Sequence, residues 1–234
     1  MDGKGNKVSF YTDPDRLVRE AVSSLAVKVC EYKRKYGKKC LVVTGCAASN
    51  GTTRAAINLA ISLSRMEHKT LLVDADMRSR SKHDNRMLDK GLCDVLCGMY
   101  IKDEVIKPTN IGNLHFMPSG RSALDSAMLL CSNKADQLLK ILSTDYDFVI
   151  LDCPAVTVVP ETAALFMDVD GILLICSLNK TTKKQLDIAK SLIEPYSEKY
   201  YGIIVNSVDE GEYKRFYPDH GYYAAKYKNM RKCK

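Results

Sequence analysis

No uninterrupted apolar run in these 234 residues approaches the roughly 18 needed to cross a bilayer. The start, Met1-Asp2-Gly3-Lys4-Gly5-Asn6, is polar and has none of the apolar character of a signal peptide. With both absent, the chain reads as cytoplasmic. It has no internal repeat and no low-complexity tract. Cysteine is not scarce, but Cys40, Cys153 and Cys176 lie within apolar, strand-like runs, where a reduced thiol packs as a small hydrophobe. Cys93 and Cys97 have no second cysteine or histidine pair near them, which argues against zinc. Reduced cytosolic thiols are expected, without disulfides.

What is present is an ordinary globular balance, 46% apolar and 27% charged residues, on a chain long enough for one full core. The formal charge of +7 is unevenly placed. Residues 28–39 hold Lys28, Lys33, Arg34, Lys35, Lys38 and Lys39 against Glu31 alone, and residues 210–234 are also strongly basic. Such clusters suit anionic lipid or nucleic acid. A solvated helix face and a basic tail account for them at least as well.

Short, largely apolar runs recur at 40–44, 70–74, 114–117, 148–152, 171–177 and 201–206. Helical patterns separate them, at roughly 14–36, 53–66, 91–98, 123–142, 161–168 and 181–196. Fully apolar strands alternating with amphipathic helices predict a doubly wound, mostly parallel α/β sheet covered on both faces, as a single domain. Right-handed crossovers then gather the functional loops at the strands' C-terminal ends. The polar stretch from Arg78 to Arg86, with His83 inside it, reads as a surface loop.

The segment Gly45-Cys46-Ala47-Ala48-Ser49-Asn50-Gly51-Thr52-Thr53-Arg54 joins the first strand to a helix, the setting of a phosphate-binding loop. Such a loop binds anions through backbone N–H groups and the helix N-terminus. A lysine normally adds a mobile charge over the terminal phosphates, and the next Ser or Thr serves Mg²⁺. Here Gly51 and Thr53 fill the glycine and hydroxyl places, and Thr52 stands where the lysine belongs. Two other strand ends are acidic: Val73-Asp74-Ala75-Asp76 and Leu151-Asp152-Cys153-Pro154. Carboxylates there can hold Mg²⁺ or orient an attacking hydroxyl. One such Asp is as readily a turn or cap residue; three behind a phosphate loop are not.

The run from Cys40 to Asn206 resembles the bacterial tyrosine kinases of capsule and exopolysaccharide synthesis, within the ParA/MinD-like P-loop class. The resemblance is carried by Asp74-Ala75-Asp76-Met77-Arg78, by the Walker B-like Phe148 to Pro154, by Asn58-Leu59-Ala60 and by Gly202 to Asn206. It implies a P-loop NTPase-like domain over residues 1–208, with ATP and Mg²⁺ as ligands. The nucleotide would be held by Gly51, Thr52, Thr53, Arg54 and Asn206. Mg²⁺ would be held by Thr53, Asp76 and Asp152. Asp74, Asp76 and Asp152 would be the catalytic carboxylates. Tyr213, Tyr217, Tyr222, Tyr223 and Tyr227 match the family's C-terminal phosphoacceptor cluster, on an expected flexible tail over 209–234.

The departures matter equally. Besides Thr52, Ala48 and Ser49 replace the usual Pro-Gly, and Arg80 replaces a proline. Aligned on Glu20, the two arginines of the family's ring-assembly element are Ser23 and Ala26. Arg54 is no substitute for the lysine, because two helical residues turn it by roughly 200°. Losing a cation aimed at phosphate charge costs about 10²–10³ in rate at comparable sites. The expectation is therefore a regulator of capsule or exopolysaccharide synthesis with weak or lost kinase activity. By resemblance it is peripheral at the inner face of the membrane, has a transmembrane chain-length or activator protein as partner, and can form homo-oligomers. The alternatives are an active protein-tyrosine autokinase and a ParA/MinD-like positioning ATPase. No nucleic-acid partner is expected.

Overall fold

The computed structural model describes residues 8–11, 15–78, 90–121 and 125–216. A seven-stranded sheet runs through it in the order β3-β4-β2-β5-β1-β6-β7. Its strands are β1 (Cys40–Gly45), β2 (Thr70–Asp74), β3 (Lys107–Pro108), β4 (Leu114–Met117), β5 (Phe148–Asp152), β6 (Gly171–Ser177) and β7 (Tyr200–Asn206). All pairings are parallel except the short β3, which runs antiparallel to β4 at one edge.

Alternation along the strands divides the core in two. Leu41 and Val43 of β1, with Leu72, Ile150 and Leu173, pack against helices α1 (Arg16–Tyr36) and α2 (Thr52–Arg65). Val42, Val73, Leu151 and Leu174 face the other way. They meet α3 (Leu92–Leu96), α5 (Ser126–Leu130), α6 (Asn133–Asp145), α7 (Lys183–Ile193) and a 3₁₀ segment at Pro160–Met167. A strand with apolar residues on both faces can be satisfied only inside such a sandwich, which is why the fully apolar runs became the central strands.

The long α1 starts at Asp15, whose carboxylate accepts from Leu17 N (2.8 Å), and stops at left-handed Gly37 (φ 70°). Along it, Glu20 is half-buried and Ser23 exposed, while Ala26 is fully buried against the core. The place of the second ring-assembly arginine thus faces inward here.

Three expectations change. The single helix expected over 123–142 is two, because Ser132 takes extended backbone and caps α6 at Ala135 N. Serine gains more from that cap than from a mid-helix position. The short α4 (Lys102–Val105) and β3 had no visible pattern. Residues expected to open the tail form α8 (Glu210–Phe216). Residues 79–89, which include Arg80 and His83, lie outside the described residues, as do 217–234. No helix among the described residues is long and apolar enough to cross a membrane.

Candidate functional site

The β1–α2 loop is shaped by bonds from its neighbours. Cys46 N donates to Ile175 O (2.8 Å) and Val156 N to Gly45 O (3.1 Å). Thr157 Oγ1 donates to Cys46 O (2.7 Å). Asn50, only 3% exposed, is the hub. Its Oδ1 accepts from Ala47 N (2.8 Å) and from Thr181 Oγ1 (3.3 Å), and its carbonyl accepts from Asn206 Nδ2 (2.8 Å). Two left-handed residues turn the chain, Ser49 (φ 61°) and Gly51 (φ 83°). A Cβ on Gly51 would also run into the Asn206 amide, so glycine is required twice over.

Gly51 is the N-cap of α2 and offers no side chain to it. The first-turn N–H groups of Thr52, Thr53 and Arg54 have no acceptor within the helix, as at every helix start. An open N-terminus of a 14-residue helix, behind a loop already bent to receive an anion, fits a phosphate group. What it lacks is a cation from position 52. The Thr52 hydroxyl lies 2.8 Å from where a Gly45 Cβ would be, folded back onto the loop's own start.

The acidic strand ends converge as the sequence implies. Asp74 and Asp152 are register partners on adjacent parallel strands β2 and β5. Asp76 follows in a turn in which Asp76 N donates to Asp74 Oδ1 (3.0 Å) and Arg78 N to Asp76 Oδ1 (3.2 Å). Burial pushes the Asp152 carboxyl up to about 7; the Asp74 and Asp76 charges add to this, and a hydrogen bond from Thr53 opposes it. Thr53 and Asp152 therefore touch, with Asp74 and Asp76 within electrostatic reach. Among the described residues no three of His, Cys, Asp and Glu form a cage for a metal ion. A Mg²⁺ site needs none, since that ion takes one or two carboxylates and fills its shell with water and phosphate oxygens.

The remaining expected residues are scattered. Arg54 is exposed on the first turn of α2. Asn206 reaches the loop, with its amide nitrogen on Asn50 O. Arg78 turns to Glu161 in an ion pair and to Ser126 Oγ (3.2 Å). Tyr213 is half-buried in α8, while Tyr217, Tyr222, Tyr223 and Tyr227 lie outside the described residues. Sequence reasoning missed Asn50 and Thr181, whose roles depend on chain segments 131 residues apart. The only local signal was an Asn immediately before the loop's last glycine.

A profile of the AAA domain family matches residues 38–200. The chain belongs to that family. Tyrosine-protein kinase wzc of Salmonella typhi is 29% identical over 231 residues, 97% of this chain but 31% of that protein, so the chain spans about a third of its length. Tyrosine-protein kinase YwqD of Bacillus subtilis is 28% identical over 96% of this chain and 94% of its own. The kinase domain of the Escherichia coli tyrosine kinase ETK superposes with a TM-score of 0.74 at 25% identity, covering 80% of this chain and 74% of that one. The septum site-determining protein MinD of Pyrococcus horikoshii, solved with Mg-ADP, superposes at 0.56 and 20% identity over 74% and 72% of the two chains, a likeness of fold alone. The chain is thus a tyrosine-kinase-like P-loop protein whose relatives are bacterial tyrosine kinases.

Proposed function

We propose that this protein binds Mg·nucleotide at the β1–α2 loop and regulates capsule or exopolysaccharide synthesis with weak or lost tyrosine kinase activity. One observation carries the reading: the loop keeps its fold while position 52 presents a short hydroxyl turned back onto Gly45. A bound nucleotide brings a transferable phosphoryl group. Gly51 and the first turn of α2 would hold its phosphates, Thr53, Asp76 and Asp152 would hold the accompanying Mg²⁺, and Asp74, Asp76 and Asp152 would orient the acceptor hydroxyl. Without a cation at position 52, charge developing on the transferred group lacks its main partner.

Kinship with the bacterial tyrosine kinases supports the setting. A transmembrane chain-length or activator protein would recruit the chain to the inner face of the membrane, where it acts through its contacts. Self-association by the family's helix element is disfavoured, since Ser23 and buried Ala26 replace its arginines. A second reading, a working autokinase that phosphorylates the C-terminal tyrosines, is favoured by the intact grouping of Thr53, Asp152, Asp74 and Asp76.

Calorimetry with Mg·ATP and Mg·ADP, on this chain and on Thr52→Lys, tests the proposal, with phosphotyrosine at Tyr222 and Tyr223 read by mass spectrometry. Weak binding is expected for the unmodified chain. The lysine variant should bind more tightly and phosphorylate about 10²–10³ faster. Equal phosphorylation by the two chains would establish the autokinase instead.

A further inference from the structure

With threonine at position 52, the anion site is bordered by Asp74, Asp76 and Asp152 and has no cation at the lysine position. Two segments meet the loop at Asn50: the end of β7 through Asn206, and the β6–α7 connection through Thr181.

That connection is tightly built. Leu178 N donates to Asn206 O (2.8 Å), and Ser177 N to Thr181 Oγ1 (2.8 Å). Both Lys180 N (3.2 Å) and Thr181 N (2.9 Å) donate to Ser177 O. The backbone reverses at Asn179, which is left-handed (φ 60°). The turn therefore fixes Lys180 immediately before the residue that bonds Asn50, at the flank of β1 on which β6 lies. Lys180 is exposed, and its ammonium makes no ion pair with the described carboxylates. Its flexible four-carbon stem gives the charge reach that a threonine at position 52 lacks. Lys183 stands past the Thr182 cap, within α7, and is exposed there.

We propose that Lys180 supplies the missing cation, its ammonium folding over Asn50 onto the terminal phosphates of a bound nucleoside triphosphate. This rests on the reading that the loop binds a nucleotide. It gives the bound phosphates a cation from the β6–α7 turn, without restoring the position-52 lysine that serves phosphoryl transfer. A cation over the terminal phosphates also distinguishes triphosphate from diphosphate, so Lys180 sets that preference.

The test uses the full chain, with Lys180→Gln, Lys183→Gln, Thr52→Lys and the Lys180→Gln/Thr52→Lys pair, each titrated with Mg·ATP and Mg·ADP. Loss of one charge-assisted hydrogen bond should weaken ATP binding by Lys180→Gln about tenfold to a hundredfold. ADP binding should weaken less, Lys183→Gln should match the unmodified chain, and Thr52→Lys should rescue the double variant. In parallel, the unmodified chain is treated with ATP acylated on its terminal phosphate. The nearest amine attacks the acyl carbon, an N–C bond forms and the phosphate leaves, so peptide mass spectrometry reads which lysine lies at the phosphates. Acylation of Lys180, blocked by excess ATP, supports the proposal. Unchanged ATP binding by Lys180→Gln with acylation elsewhere overturns it and leaves the nucleotide reading intact. Binding by Thr52→Lys alone overturns it as well, since Lys180 then fails to substitute. No saturable binding by any of these chains overturns the nucleotide reading itself.

Discussion

At the ends of β2 and β5 three carboxylates lie close together, whereas at the end of β1 the backbone bends as a phosphate loop does and carries threonine at position 52. The difference follows from what holds each half. The carboxylates sit on central strands whose register is fixed by apolar residues on both faces, so Asp74 and Asp152 are neighbours by pairing alone. The loop is shaped from outside, by Ile175, Val156, Thr157, Thr181 and Asn206. None of these bonds depends on the residue at position 52. Loop shape is thus encoded apart from the residue at position 52, and the loop's form can persist whatever side chain stands there.

The acidic half gives the largest expected effect, and without bound Mg²⁺ it is a liability to stability. Asp152 is pushed up to about 7, well above an unfolded aspartate near 3.9. Between those values the folded chain holds a proton that the unfolded chain has released, so stability falls as pH rises. The slope approaches 1.4 kcal/mol per pH unit for one proton, a few kcal/mol across the window. Denaturant titrations at pH 5 and pH 8 without Mg²⁺ should show this loss, and Asp152→Asn should flatten it. A flat profile in the unmodified chain would mean that Asp152 is not desolvated as its burial at the end of β5 implies.

For the loop, Gly51→Ala should do the most harm. It forces an L-residue to φ 83° and drives a methyl into the Asn206 amide. The backbone strain and the lost bond to Asn50 together should cost about 2–3 kcal/mol. Thermal unfolding should shift down by several degrees, with nucleotide binding falling in parallel. Asn50→Ala ranks next, at about 1–2 kcal/mol, because it leaves Ala47 N–H and the Thr181 hydroxyl without their acceptor. If Asn50→Ala is neutral, the loop's form comes from elsewhere and the contrast between its two encodings weakens.

The sheet was legible because its central strands are apolar on both faces, and the three carboxylates because each ends such a strand. The helix break at Ser132 was not, since its cap competes with an otherwise continuous helical pattern. Thr52 was visible as an absence, but its retreat onto Gly45 depends on χ angles that no pattern reports. Asn50 reads as an ordinary loop residue until β6 and β7 are laid beside β1, which brings Thr181 and Asn206 to it. Ala26 illustrates the reverse case. The missing arginine was evident, yet only the packing of α1 on the core shows that its position points inward.

The smallest expected effect is the sharpest probe of shape without charge. Where the family has glycine, Ser49 holds φ 61°, so the loop keeps a left-handed turn with a residue that resists it. That conformation costs an L-residue about 1–2 kcal/mol, while glycine would forfeit about 0.5–1 kcal/mol in unfolded-chain entropy. Ser49→Gly should therefore stabilise the protein by about 0.5 kcal/mol, or about 1–2 °C in thermal unfolding. Ser49→Ala, which keeps the strain and removes the hydroxyl, should bring no gain. If both substitutions destabilise, the Ser49 hydroxyl is itself part of what shapes the loop. If glycine alone stabilises, the turn is imposed on Ser49 by its neighbours, and the loop's form is independent of the side chains it has lost.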